Sequence, residues 1–148
     1  MSGCRASGTI DTAHPAFANG ALLVTTDTGA ARVGNAVRTL SVGAGSTLDP
    51  VAAIDALQAR GHRRILHEGG PHAIGSFIEA GMVDELFLTI SPLLAGRTAD
   101  DPRLALIEAT DLLPGKALQL LGARRESDHL FLRYGIEGGS PGDDTSAG

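Results

Sequence analysis

Residues 65–72 read Ile65-Leu66-His67-Glu68-Gly69-Gly70-Pro71-His72, an apolar run that ends on a glutamate, turns through two glycines and restarts at once in a helical pattern. A strand that runs through Gly-Gly into a helix leaves unpaired backbone N–H groups at the helix's first turn, where its dipole is positive. Glycines lack a Cβ and let the backbone come close to a bulky anion, for which phosphate or pyrophosphate is the natural occupant. Pro71 fits the first helical position, which loses nothing by lacking an N–H. The same residues also suit a plain β-α turn whose glycines serve close packing, and their spacing is neither a Rossmann fingerprint nor a Walker loop. Glu68 stands where open α/β sheets place ligands, at the C-terminal end of a strand. It is either half of an ion pair with Arg63, Arg64 or another arginine, or a hydrogen-bond acceptor for a substrate or ribose group.

The flanking sequence supplies the order of elements. On the N-terminal side, 21–26 is a short β-prone run, Asp27 stands at an N-cap position, and a short helix follows over 28–35. Residues 38–42 alternate polar and apolar, as a half-exposed strand does. Asp49 and Pro50 open a helix with Val51, Ile54 and Leu57 on one face, and Gly61 closes it. A strand at 64–67 then completes a β-α-β-α order, which implies a parallel sheet packed by helices. Beyond Pro71, the residues Ile74, Phe77 and Ile78 form an apolar stripe that Gly81 ends. Residues 83–92 read as a long strand, apolar on both faces through its middle and therefore central. Residues 93–116 are loop-rich, 117–124 and 128–136 pattern as an antiparallel hairpin, and the Gly-, Ser- and Asp-rich 138–148 has no apolar anchor and is expected to be disordered.

Composition narrows the function classes. The chain's 148 residues suit one domain, and its 43% hydrophobic and 20% charged content is that of a globular protein. No apolar run is long enough for a bilayer, and the start Met1-Ser2-Gly3-Cys4-Arg5 lacks a secretory core, so a cytoplasmic location is expected. Twelve basic against 17 acidic residues, with neither sign clustered, gives no nucleic-acid footprint, and 3% aromatics with no Trp gives no base-stacking platform. A single cysteine, Cys4, permits no internal disulfide. His14, His62 and His129 have no carboxylate or cysteine at metal-ligand spacing and read as surface or packing residues, as does His67 beside Glu68. Asp84 and Glu85 open a strand and suit solvent, capping or dimer contacts.

The run HEGGPHAIGSFIEAGMVDELFLTISPLLAG, with Glu68-Gly69-Gly70-Pro71, an apolar helix, Val83-Asp84-Glu85-Leu86 and a strand ending in Pro92 and Gly96, closely resembles the riboflavin-biosynthesis pyrimidine reductases. These form the C-terminal domain of bifunctional deaminase-reductases and have the dihydrofolate reductase fold. The resemblance extends from about Ser7 to Tyr134. It implies an α/β domain over 1–137 with a mainly parallel sheet flanked by helices and a C-terminal antiparallel hairpin. It also implies NADPH as cofactor and a phosphoribosylamino-pyrimidine as substrate. By resemblance, Gly69, Gly70, Pro71, His72 and Ala73 meet the cofactor's pyrophosphate, and Glu68 lies at the substrate and nicotinamide end. Ser7 matches a polar residue that holds the 2′-phosphate, with Arg5 as charge partner. Thr25 and Thr26 match the end of the strand near the adenosine half.

Two departures stand out. The family has Thr or Ser after Gly-Gly-Pro, where this chain has His72, which can still donate and, when protonated, favours an anion. The family also carries a first strand, a helix and a second strand before the segment matching Arg5-Ala6-Ser7, whereas this chain begins at Met1. In the dihydrofolate reductase fold that first strand lies beside both the Glu-Gly-Gly strand and the Val-Asp-Glu-Leu strand, so its absence is expected to leave two apolar edges unpaired. Either those strands close up or a second chain covers them, and a homodimer or higher assembly is expected. Two readings follow: a pyrimidine reductase or close relative, and a non-catalytic truncated homologue that keeps nucleotide binding or serves as an assembly partner. A third possibility is a true start upstream of Met1.

Overall fold

The computed structural model describes residues 10–98 and 100–137, so Arg5, Ser7 and the expected tail at 138–148 lie outside the described residues. Its elements follow the order α1 (Pro15–Ala18), β1 (Leu23–Thr25), α2 (Asp27–Val33), a 3-10 turn (Gly34–Ala36), β2 (Thr39–Ser41), α3 (Pro50–Gln58), α4 (Pro71–Glu79), β3 (Glu85–Ile90), β4 (Leu118–Glu126) and β5 (His129–Ile136). The α/β class, the parallel β-α-β unit and the C-terminal hairpin are all present.

β1 and β2 pair in parallel, Leu23 with Thr39 and Thr25 with Ser41, and α2 packs on them as the crossover. The helix begins one residue earlier than the sequence predicts. Thr26, not Asp27, is its N-cap, and the Thr26 hydroxyl accepts the Gly29 N–H at 3.2 Å. Asp27 takes a first-turn position, where its charge favours the helix dipole, and its carboxylate accepts the Ser41 hydroxyl, tying the end of β2 to the start of α2. Val33, Val37 and Val42 are buried around this unit, and Ala53 is buried on the helix that follows.

α3 opens as predicted: the Asp49 carboxylate accepts the Val51 N–H at 2.9 Å with Pro50 at the first helical position. α4 also opens on a proline, but its N-cap is Gly70, with no side-chain cap. Both helices end before glycines in the left-handed region, Gly61 at φ +90° and Gly81 at φ +71°, a conformation that costs other residues about 1 kcal/mol.

The second sheet has the order β3-β5-β4, antiparallel throughout. A turn at Ser127 and Asp128 joins β4 to β5, and the register shifts between Leu120 and Gly122, where β4 bulges. Two predicted features differ. The strand at 64–67 forms no ladder among the described residues, and β3 is an edge strand, paired by β5 on one side only. The reason is the same for both: a strand exists only against a neighbour, and the β1–β2 pair and the β3–β5–β4 sheet do not meet across this segment. Leu66 is 74% exposed and Phe87 66%. Of the two outcomes expected for these edges, closing up against each other is not the one adopted.

Candidate nucleotide site

The Glu68-Gly69-Gly70 segment is held from beneath by His67. The His67 ring packs on Phe77 of α4 at 4.9 Å between centroids, and its Nδ1 is enclosed without a protein partner among the described residues. A Cβ on Gly69 would stand 2.7 Å from His67 Cε1 and 3.2 Å from the Ala73 Cβ, so this glycine is fixed by packing. Gly70 is different. Nothing lies within 4 Å of where its Cβ would be, and its φ of −70° is open to any L-residue. One glycine thus answers to the close-packing reading of the motif and the other leaves open space at the mouth of the helix.

That mouth carries free donors. Ala73 N–H and Ile74 N–H both point back to the Gly70 carbonyl, at 2.9 and 3.1 Å, and Pro71 has no N–H to offer. The amides of Gly69, Gly70 and His72 donate to no protein acceptor among the described residues, and all three residues are exposed. Three unpaired N–H groups in an exposed run at the positive end of a nine-residue helix are the donor set an oxyanion takes. Of the five residues 69–73 matched to a pyrophosphate, Gly69, Gly70 and His72 have amides to give, while Pro71 and Ala73 can offer only van der Waals contact.

Glu68 is exposed and makes no ion pair with Arg63 or Arg64 among the described residues. Its carboxylate therefore remains an available acceptor beside the amides, for a hydroxyl or ring N–H rather than for a phosphate. Glu85 is otherwise engaged, in an ion pair with Arg133 within the second sheet.

Thr25 and Thr26 are enclosed, at 1% and 0% exposure, and the Thr26 hydroxyl is spent on capping α2. They shape the C-terminal end of the parallel pair, where Val42 N–H reaches the Thr25 carbonyl and Asp27 N–H the Gly43 carbonyl. No direct contact joins them to the Gly69–Ala73 turn among the described hydrogen bonds. The sequence places Asp27 at the start of α2 but does not announce its pairing with Ser41, which comes from the parallel register of β1 and β2.

A short parallel β-α-β unit, a capless helix behind Glu-Gly-Gly-Pro and an antiparallel C-terminal sheet place the chain in the dihydrofolate reductase-like α/β class. Within that class, the chain belongs to the RibD C-terminal domain family, whose model matches residues 8–124. Among solved structures it is similar to a pyrimidine reductase-like protein from Corynebacterium diphtheriae at 24% identity and a TM-score of 0.61, covering 78% of this chain and 49% of that one. It is also similar to Acinetobacter baumannii RibD at 18% identity and a TM-score of 0.53, covering 78% of this chain and 30% of that one. The chain thus spans about half the length of the first of these proteins, and both likenesses concern the fold. No curated protein matches.

Proposed function

We propose that this chain is the nucleotide-holding part of an NADPH-dependent reductase that acts on a phosphoribosylamino-pyrimidine in riboflavin biosynthesis, or of a close relative with another substrate. The observation that carries the reading is the unpaired amide set of Gly69, Gly70 and His72 opening on space that a Cβ at Gly70 would fill. These residues fit a pyrophosphate: three donors and no acid except Glu68, which is available to a neutral hydroxyl or N–H. NADPH, when bound, supplies the hydride. The chain's own part is to grip the pyrophosphate through backbone N–H groups, to steer the bound molecule by the dipole of α4, and to orient a polar group through Glu68. Arg5 and Ser7 complete the reading as holders of the 2′-phosphate. On this reading the reaction belongs in the cytoplasm; no helix among the described residues is long and apolar enough to cross a membrane.

A second reading is favoured by the edge of β3 that no described strand pairs. In it, the chain keeps nucleotide binding without turnover or serves as an assembly partner. Titrating NADPH by its fluorescence and then following its oxidation with the phosphoribosylamino-pyrimidine divides the two. Binding with turnover supports the first reading and binding alone the second, while no binding at all overturns the nucleotide part of both and leaves only the assembly role. In either case a homodimer or higher assembly covers the exposed apolar edge; light scattering that gives a 15.1 kDa particle at working concentration would rule this out.

A further inference from the structure

A cleft of about 720 Å³ opens between the segment around α1 and the run from the 3-10 turn into β2. It lies at the N-terminal end of β2, whereas Ser41 and the buried threonines stand at the C-terminal ends of the parallel strands. Its polar lining is Thr12, His14, Asn35, Arg38 and Thr39, and Phe17 supplies an aromatic wall.

Two of these side chains are set by contacts with the backbone. Arg38 Nη2 donates to the Gly20 carbonyl, which anchors one corner of a guanidinium that has five N–H groups in all. His14 Nδ1 accepts the Ala16 N–H at 3.2 Å, so the neutral ring carries its proton on Nε2 and is a donor there. None of the described lining residues bears a carboxylate. The closest acid in sequence, Asp11, uses its Oδ1 to accept the Ala13 N–H at 3.0 Å and closes the turn that leads into His14. In a chain of formal net charge −5, a cleft with a guanidinium, an imidazole, an amide and two hydroxyls but no acid selects for negative charge. Its volume is far larger than an inorganic anion needs and falls among those of small-molecule sites, roughly 300–1,000 Å³.

We propose that this cleft binds an organic phosphate with a flat ring, the phosphate taken by Arg38 and His14 and the ring laid against Phe17. The proposal does not depend on the nucleotide site at Gly69-Gly70, which shares no residue with it.

Phenyl phosphate, with inorganic phosphate as comparison, tests this by two-dimensional NMR titration of the full chain. The expected result is saturable shifts at His14, Asn35 and Arg38, with inorganic phosphate weaker by roughly tenfold because it gains nothing from Phe17. Arg38→Gln should weaken phenyl phosphate by roughly tenfold, as expected for losing a charge-assisted contact. Because Arg38 also holds Gly20, Asn35→Asp is the companion variant: it leaves Arg38 in place, adds an acid to the lining and should weaken binding severalfold. No saturable binding up to roughly 10 mM would overturn the proposal. So would affinity unchanged by Asn35→Asp, or shifts confined to residues 68–73.

Discussion

Arg133 on β5 and Glu85 on β3 form a two-pronged ion pair, Nε to Oε2 at 2.7 Å and Nη2 to Oε1 at 2.6 Å. They are not opposite one another in the ladder: Arg133 faces Phe87 and Glu85 faces Gly135, so the guanidinium reaches diagonally, lying 6.0 Å from the Phe87 ring centroid on the way. The pair pins β3 to β5 in one register.

This pair gives stability a dependence on pH. The hydrogen bonds from Arg133 hold the Glu85 carboxyl below its usual range, outweighing the opposing effect of burial. A carboxylate whose folded-state pKa is depressed stabilises the fold above its unfolded pKa and loses that contribution as pH falls through the folded value. Urea melts of the natural chain and of Glu85→Gln should therefore differ at pH 7 and converge as the pH drops below the ordinary glutamate value of 4.5. Because both side chains are partly exposed, the difference at pH 7 should be no more than about 1 kcal/mol.

The adjacent glycines should respond in opposite ways to alanine. Gly69→Ala forces a methyl against His67 and Ala73 and should cost about 1–3 kcal/mol in urea denaturation, as overpacking does. Gly70→Ala places its methyl in open space and should cost less than about 1 kcal/mol, the difference between these residues at an N-cap.

The binding consequence of Gly70→Ala is the sharper test of the nucleotide reading. A methyl in the space where a pyrophosphate would approach should weaken NADPH by roughly tenfold or more, measured by fluorescence titration, while far-UV circular dichroism stays unchanged. Unaltered affinity would remove the turn from the proposed site.

Thr26→Ala should destabilise the chain by about 0.5–2 kcal/mol, because it strips the N-cap from α2 and leaves the Gly29 N–H unsatisfied in a buried place. Thr26→Ser, which keeps the hydroxyl, should recover most of the loss. Comparing the two midpoints in urea separates the capping contribution from the packing of the methyl.

The parts of the fold that were legible in the sequence are those written by neighbours in the chain. Asp49-Pro50 announces the start of α3, Gly70-Pro71 that of α4, and two alternating runs around Ser127 announce the hairpin. The strand expected at 64–67 failed because pairing depends on a partner far along the chain, and apolar residues such as Ile65 and Leu66 look the same with or without one. For the same reason β3 reads as central in the sequence: Leu86, Phe87 and Leu88 are apolar on both faces, yet among the described residues only β5 pairs with them. At the site, the motif identified the right turn, but which glycine packs and which stays open depends on the inward fold of His67, a tertiary fact. The cleft at Arg38 and His14 had no local signal at all, since its two walls come from separate stretches of chain.

The order of the second sheet also has a consequence in time. β4 and β5 are joined by a tight turn and can pair within about 1–10 microseconds, the scale of hairpin closure, whereas β3 reaches β5 only after the chain from Ser91 to Ala117 has closed as a loop. During that wait the hairpin shows two open edges, of which the outer one carries a bulge and Arg124 and Arg125, and the inner one, awaiting β3, has Leu130 and Leu132. Yield on refolding should therefore rise with dilution, since docking of β3 is a race between its own chain and any other strand that arrives first.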